Sequence, residues 1–256
     1  MIDTHCHLSY PPLHGQLDQV LTRAADAGVK HMITIGTRLS DSLICREMAR
    51  ANVQISCAVG IHPHYAAEAS ADELRETCEL FADPDVCACG EMGLDFHYQF
   101  APRDMQVRVF ETQLSAAIHA GKPLVLHCRE AIRESLAILK NQPWQKGVFH
   151  CFTGTADEAR LILDAGYFIG FTGVVTFKGT QSLRDLITFV PDDRLLIETD
   201  APYLAPEPMR KQKINEPFLI PHVFACIASV RSVSLLQLIV QTSRNACSLF
   251  GLHTGC

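Results

Sequence analysis

The 256-residue chain is short of most features that mark membrane, secreted or nucleic-acid-coating proteins. Its apolar runs are only about strand length, far below the roughly 20 residues needed to cross a bilayer, so no membrane segment is expected. The first residues open directly into a strand pattern, without the basic stretch and apolar run of a secretory leader, and a cytoplasmic location is expected. No Cys-x-x-Cys pair occurs among the eleven cysteines. Their number is odd and most lie inside apolar patterns, which suits reduced, buried thiols better than a disulfide framework. Positive charge is not in excess either. A net charge of −6 argues against a broad basic surface for nucleic acid, although it leaves room for an enzyme that grips one or two phosphates locally. A Gly-rich phosphate loop and a Gly-x-Ser-x-Gly elbow are both missing, so covalent serine or cysteine catalysis has little support. No linker, low-complexity segment or charge block interrupts the chain, and a single domain over 1–256 is expected. Nothing signals an obligate protein partner or an oligomeric state.

What is present is an alternating pattern. Strand-like apolar runs fall at 1–7, 31–36, 54–61, 86–91, 123–127, 147–151, 167–171 and 195–200. Amphipathic helix candidates separate them at 15–27, 40–51, 71–81, 103–119, 131–140, 155–164 and 181–189, with two more at 221–229 and 234–250. Gly28, Gly121 and Gly166 stand where helices should end. Strict strand–helix alternation calls for a parallel sheet with crossover helices. Eight repeats at this length predict an α/β fold closed as a (β/α)8 TIM-type barrel.

Six potential metal ligands close five of these runs: His5 and His7, Glu91, His127, His150 and Asp200. In such a barrel the C-terminal strand ends converge on one face, so these residues should meet in one pocket. A lone His-x-His pair is a weak signal, as the second pair His62-Pro-His64 shows; the six together are not weak. Imidazole and carboxylate suit divalent metals, and a set of this size can hold two ions, of which Zn, Mn or Mg are the candidates. Glu91 follows an apolar run that should bury it, and a buried carboxylate needs a cation such as a pair of bridged metals. Asp200 can ligate while accepting a proton from an attacking water, which makes Glu91 and Asp200 the expected catalytic residues. Asp95 is expected behind the ligands and Glu198 deeper still. His62, Arg129 and the basic loop of Arg210, Lys211 and Lys213 are candidates to hold substrate, Arg129 because a guanidinium suits phosphate oxygens. The proline-rich stretch 201–221, with Arg210, Lys211 and Lys213, should lie over the barrel mouth.

At these residues the chain resembles the TatD family of metal-dependent deoxyribonucleases, within the wider amidohydrolase-like barrels. The matching segments are Ile2-Asp-Thr-His-Cys-His-Leu8, Gly60-Ile-His-Pro-His64, Gly90-Glu-Met-Gly-Leu-Asp95, Leu126-His-Cys-Arg129, His150-Cys-Phe-Thr-Gly154, Leu196-Ile-Glu-Thr-Asp-Ala-Pro202 and Asn215-Glu-Pro217. They run in order along nearly the whole chain. The resemblance implies one metal on His5, His7 and Asp200, another on His127 and His150, and Glu91 bridging. It implies a metal-dependent phosphodiesterase with DNA as substrate, expected to act as an exonuclease on single strands. One departure is Ile214, where the family usually carries arginine, which removes a phosphate contact or ion pair and bears on substrate affinity. The rival reading is an amidohydrolase cleaving a small-molecule C–N or ester bond. Many such barrels bridge their metals with a modified lysine, and the run ending in Glu91 contains none.

Overall fold

A computed structural model describes residues 1–98, 100–142 and 146–252. Eight strands, β1 (Ile2–Cys6), β2 (His31–Ile35), β3 (Ile55–Val59), β4 (Val86–Asp95), β5 (Leu124–Arg129), β6 (Gly147–Phe149), β7 (Phe168–Phe171) and β8 (Leu195–Ile197), pair in chain order, each parallel to the next. The ends of the sheet then meet. Cys6 bridges to Ala201, His7 N–H donates to Ala201 O at 2.7 Å, and Asp200 N–H donates to His5 O at 2.9 Å. These contacts close the sheet into the expected (β/α)8 barrel.

Seven helices cross over between strands: α1 (Leu17–Asp26), α2 (Leu39–Ala51), α3 (Ala71–Leu80), α4 (Arg103–Ala120), α5 (Ile132–Lys140), α6 (Ala156–Asp164) and α7 (Gln181–Ile187). After β8 come α8 (Ile220–Arg231) and α9 (Leu235–Phe250). Local sequence explains several ends. Ser70 with Glu73 and Thr155 with Glu158 form reciprocal caps at the starts of α3 and α6. Gly121 stops α4 in the left-handed region at φ +67°. No single helix among the described residues is long and apolar enough to cross a membrane.

Packing divides by strand face. Leu126, Phe149, Phe171 and Ile197 face the helices, whereas Ile33, Ile35, Ala58, Ala88, Val125, Val148 and Leu196 fill the barrel together with Leu249 and Phe250 of α9. Side chains on a strand alternate, so the inward position two residues beyond Val125 is His127, beyond Val148 is His150, and beyond Leu196 is Glu198. The period that fills the barrel therefore also aims the polar residues into its mouth.

Two strand boundaries differ from the sequence pattern by more than two residues. β4 continues past Glu91 to Asp95, because Met92, Gly93, Leu94 and Asp95 keep pairing with β5. β8 stops at Ile197, because Thr199 is captured by Asp3 of β1: its N–H reaches Asp3 Oδ1 at 3.0 Å and its hydroxyl reaches Oδ2 at 2.6 Å. Asp200 then sits at φ +56° in a turn rather than at a strand end. Among the described residues nine cysteines are free thiols, as expected, but Cys247 is disulfide-bonded.

Candidate metal centre

The six predicted ligands meet at the C-terminal mouth of the barrel, grouped around the Glu91 carboxylate. Gly90 makes this approach feasible: it adopts φ +140°, and a Cβ there would collide with the Val125 carbonyl. Glu91 is 2 % exposed, and its two oxygens face different partners. Oε2 lies 3.4 Å from His5 Nε2 and 3.9 Å from His7 Nε2. Oε1 lies 2.7 Å from His150 Nε2 and 2.8 Å from His127 Nδ1. Asp200 Oδ1 completes the first group, 3.4 Å from His7 Nε2 and 3.6 Å from His5 Nε2. His5, His7 and Asp200 thus form one cluster of donors, and Glu91, His127 and His150 another.

Surrounding groups orient these rings. His7 Nδ1–H donates to Ile35 O at 3.1 Å, which leaves the Nε2 lone pair pointing into the site. His127 turns Nε2 to Asp95 Oδ2 at 3.0 Å and presents Nδ1 to the cluster. Asp95, behind the ligands as expected, also takes His64 Nε2 at 2.8 Å on the same oxygen. Glu198 lies fully buried under the site, accepting the Cys151 N–H at 2.6 Å and the Thr4 hydroxyl at 3.2 Å, with His150 Nδ1 at 3.6 Å. Gly170 makes room for it, since a Cβ there would stand 2.7 Å from Glu198 Oε2.

This donor set fits divalent cations. Nε2 atoms of His5 and His7 face each other at 3.3 Å, as do His127 Nδ1 and His150 Nε2. No lysine or arginine pairs with Glu91 or Asp200 among the described residues. Converging lone pairs and uncompensated buried carboxylates require positive charge between them. The titration of each of these groups depends strongly on its neighbours. Burial opposes ionisation of Glu91, yet His150 and His127 outweigh it and hold the carboxyl well below its usual range. Burial likewise opposes charge on His150, but the Glu91 and Glu198 carboxylates win and push it well above an ordinary imidazole. At His5, burial and the neighbouring His150 prevail and push it down.

The two predicted substrate residues are both at the mouth. His62 is 7 % exposed, with Nε2 3.4 Å from Glu91 Oε1 and Nδ1 accepting the His64 N–H at 3.0 Å. Burial, with His127 beside it, pushes His62 down to about 3, so it is neutral and offers Nε2–H. Arg129 is exposed, lines the same cavity of about 540 Å³, and lies over the Tyr98 ring at 4.7 Å. It makes none of the ion pairs open to it with Asp95, Glu130 or Glu134. From the stretch 201–221, Tyr203 and Leu204 line the cavity, whereas Arg210, Lys211 and Lys213 do not, and Arg210 lies over the Phe177 ring at 4.0 Å. Asn215 fixes that loop by donating Nδ2–H to Thr199 O at 2.9 Å and Tyr203 O at 2.6 Å. Glu216 pairs with Arg23 of α1 at 2.8 Å.

Sequence reasoning passed over His64 and the aromatic rim. The His62-Pro-His64 spacing was a usable signal for His64, and so was the aromatic density of Phe96-His-Tyr98 followed by Phe100. The thiols of Cys6 and Cys128 turn away, toward Ile33 O and the Ser135 hydroxyl, as strand alternation predicts. Cys151 departs from strand geometry: at φ +46° its thiol approaches the Thr172 hydroxyl at 3.6 Å, and both Cys128 and Cys151 line the cavity.

A family model described as TatD related DNase matches residues 2–251. The chain is 39% identical over 262 residues to the 3'-5' ssDNA/RNA exonuclease TatD of Erwinia amylovora, covering 98% of this chain and 100% of that protein. It is 34% identical to the metal-dependent hydrolase YabD of Bacillus subtilis, covering 99% of this chain and 100% of that one. The crystal structure of YjjV, a TatD homologue from Escherichia coli, superposes with a TM-score of 0.92 at 30% identity, covering 98% of each chain.

Proposed function

The chain belongs to the family of TatD-related DNases and is a metal-dependent hydrolase; on that premise we propose that it degrades single-stranded DNA as a 3'-5' exonuclease using two divalent ions. The observation that carries this reading is the division of Glu91, with one oxygen toward His5 and His7 and the other toward His127 and His150. His5, His7 and Asp200 would hold one ion, His127 and His150 the other, and Glu91 both. Zn and Mn suit so imidazole-rich a set better than Mg. When bound, such ions acidify water and neutralise charge on a phosphoryl group.

The remaining roles belong to the chain's own groups. Asp200 has the more open carboxylate, 13% exposed against 3% for Glu91, and is placed to take a proton at the cavity side. Glu91, held ionised, keeps the two donor groups in register. His62 offers a neutral N–H at the mouth for a phosphate oxygen. Arg129, without an acidic partner, presents its guanidinium to the backbone of the strand. The described chain acts as one domain, supported by α8 and α9 packing onto the barrel. Nine free thiols among the described residues, against one disulfide-bonded cysteine, favour a reducing, cytoplasmic setting.

Incubation with 5'- and 3'-labelled single-stranded DNA across Zn, Mn and Mg tests reaction, polarity and metal together. A ladder shortening from the 3' end, abolished by EDTA and restored by metal, is the expected result. Cleavage that survives verified metal removal overturns the reading.

A further inference from the structure

The cavity rim beside His127 carries an aromatic surface that the hydrolytic chemistry leaves unused. Tyr98 and Phe100 stack with centroids 5.6 Å apart and planes 25° apart. His64 meets Phe100 edge-on at 4.8 Å and Tyr98 at 5.6 Å, and Arg129 covers Tyr98 at 4.7 Å. A lone exposed phenylalanine needs no explanation. Here Phe100 is 65% exposed and Tyr98 41%, side by side, in a loop that opens onto the candidate active site.

The backbone leading into Tyr98 is also anchored. Asp95 Oδ1 accepts the backbone N–H groups of His97 at 3.0 Å and Tyr98 at 2.9 Å, while Oδ2 accepts His64 and His127. One carboxylate therefore ties the Tyr98 backbone to a predicted metal ligand, and Phe100 stacks on Tyr98. The stacked rings stand ready at a fixed offset from the site, with little ordering left to do on binding.

Resting on the nuclease reading, we propose that Tyr98 and Phe100 form a stacking subsite for one unpaired nucleobase of the substrate strand. Every base has a π-face, which a single strand exposes and a duplex hides. Arg129 adds the complementary charge: its guanidinium sits over Tyr98 with no carboxylate partner among the described residues, within the same cavity as the ligand cluster. A base on the rings would bring its phosphodiester past Arg129 toward Glu91. Such a subsite favours single strands over duplex and reads aromatic area rather than base identity.

The test measures Kd for a short 5'-fluorescein oligothymidylate with phosphorothioate linkages, on the metal-loaded protein, by anisotropy. Phe100→Ala and Tyr98→Ala remove exposed rings and leave the backbone bonds to Asp95 intact, so both should unfold at the wild-type temperature. Each should weaken binding roughly tenfold, and Phe100→Trp should restore it. Replacing one thymidine by a baseless residue, position by position, adds the partner half of the cycle. At one position the loss of the base should cost wild type about as much as losing the ring, and cost Phe100→Ala little more. Unchanged Kd in both alanine variants, or penalties that simply add at every position, overturns the subsite. Binding is read apart from turnover, so a wild-type protein that fails to cleave DNA would count against the nuclease reading alone, while the Kd series would still decide the subsite.

Discussion

The imidazole rings of His5 and His150 lie parallel, their planes 8° and their centroids 3.9 Å apart, although one lies in β1 and the other follows β6. Both point Nε2 at Glu91, but at different oxygens, 3.4 Å from Oε2 and 2.7 Å from Oε1. Two donor groups are thus set side by side on one carboxylate. That arrangement follows from inward alternation on two distant strands, each carrying its histidine to the same barrel height.

Asp95 should matter to the metal without touching it. It holds His127 Nε2 at 3.0 Å and so fixes which nitrogen faces the cluster. Removing such a partner commonly costs about 10–100-fold in metal affinity or activity. Asp95→Asn is expected to weaken one of the two ions by that much, read by competitive metal titration with a chromophoric chelator. Wild-type affinity for both ions would show that His127 is oriented by other contacts.

The thiols should be inert in the native state. Burial pushes Cys45, Cys87 and Cys128 up to about 12, and Cys6 and Cys151 well above the ordinary thiol. The thiolate is the reactive form, so raising the pH from 7 to 9 should release little of it at these positions. Mass spectrometry after iodoacetamide should find them unlabelled until the protein is unfolded. Rapid labelling of Cys151 at pH 7 would reopen a thiol role at the cavity.

Ile214 occupies an exposed position next to Asn215, whose bonds to Thr199 and Tyr203 anchor the loop at the mouth. Ile214→Arg should add one phosphate contact to a fixed loop. The KM for single-stranded DNA should fall, and the slope of log affinity against log salt should steepen by about 0.7. An unchanged salt slope would place residue 214 off the path of the strand.

The fold was legible because its periodicities are local: eight apolar runs and the helices between them are each readable from a dozen residues. His5, His7, His127 and His150 were legible for the same reason, since each sits two residues past a barrel-filling or strand position on the inward face. Asp200 was found by its chemistry but misplaced in structure. Its turn depends on Asp3 capturing Thr199, a contact between opposite ends of the chain that no local pattern encodes. The extension of β4 beyond Glu91 likewise depends on pairing with β5. The Tyr98–Phe100 stack was missed because exposure, unlike burial, leaves no period in the sequence.

Glu91→Gln tests the central claim most directly. Glutamine keeps nearly the same volume, removes the charge that balances two cations, and offers a nitrogen with no lone pair to the second. Metal content after dialysis against excess metal, measured by elemental analysis alongside kcat on single-stranded DNA, should fall below two ions per chain. Turnover should drop by about 10²–10³-fold, the usual scale for a single catalytic interaction. In EDTA the variant should unfold at the temperature of metal-free wild type, which separates loss of metal from loss of fold. Two ions retained with near wild-type turnover would contradict the bridging role of Glu91.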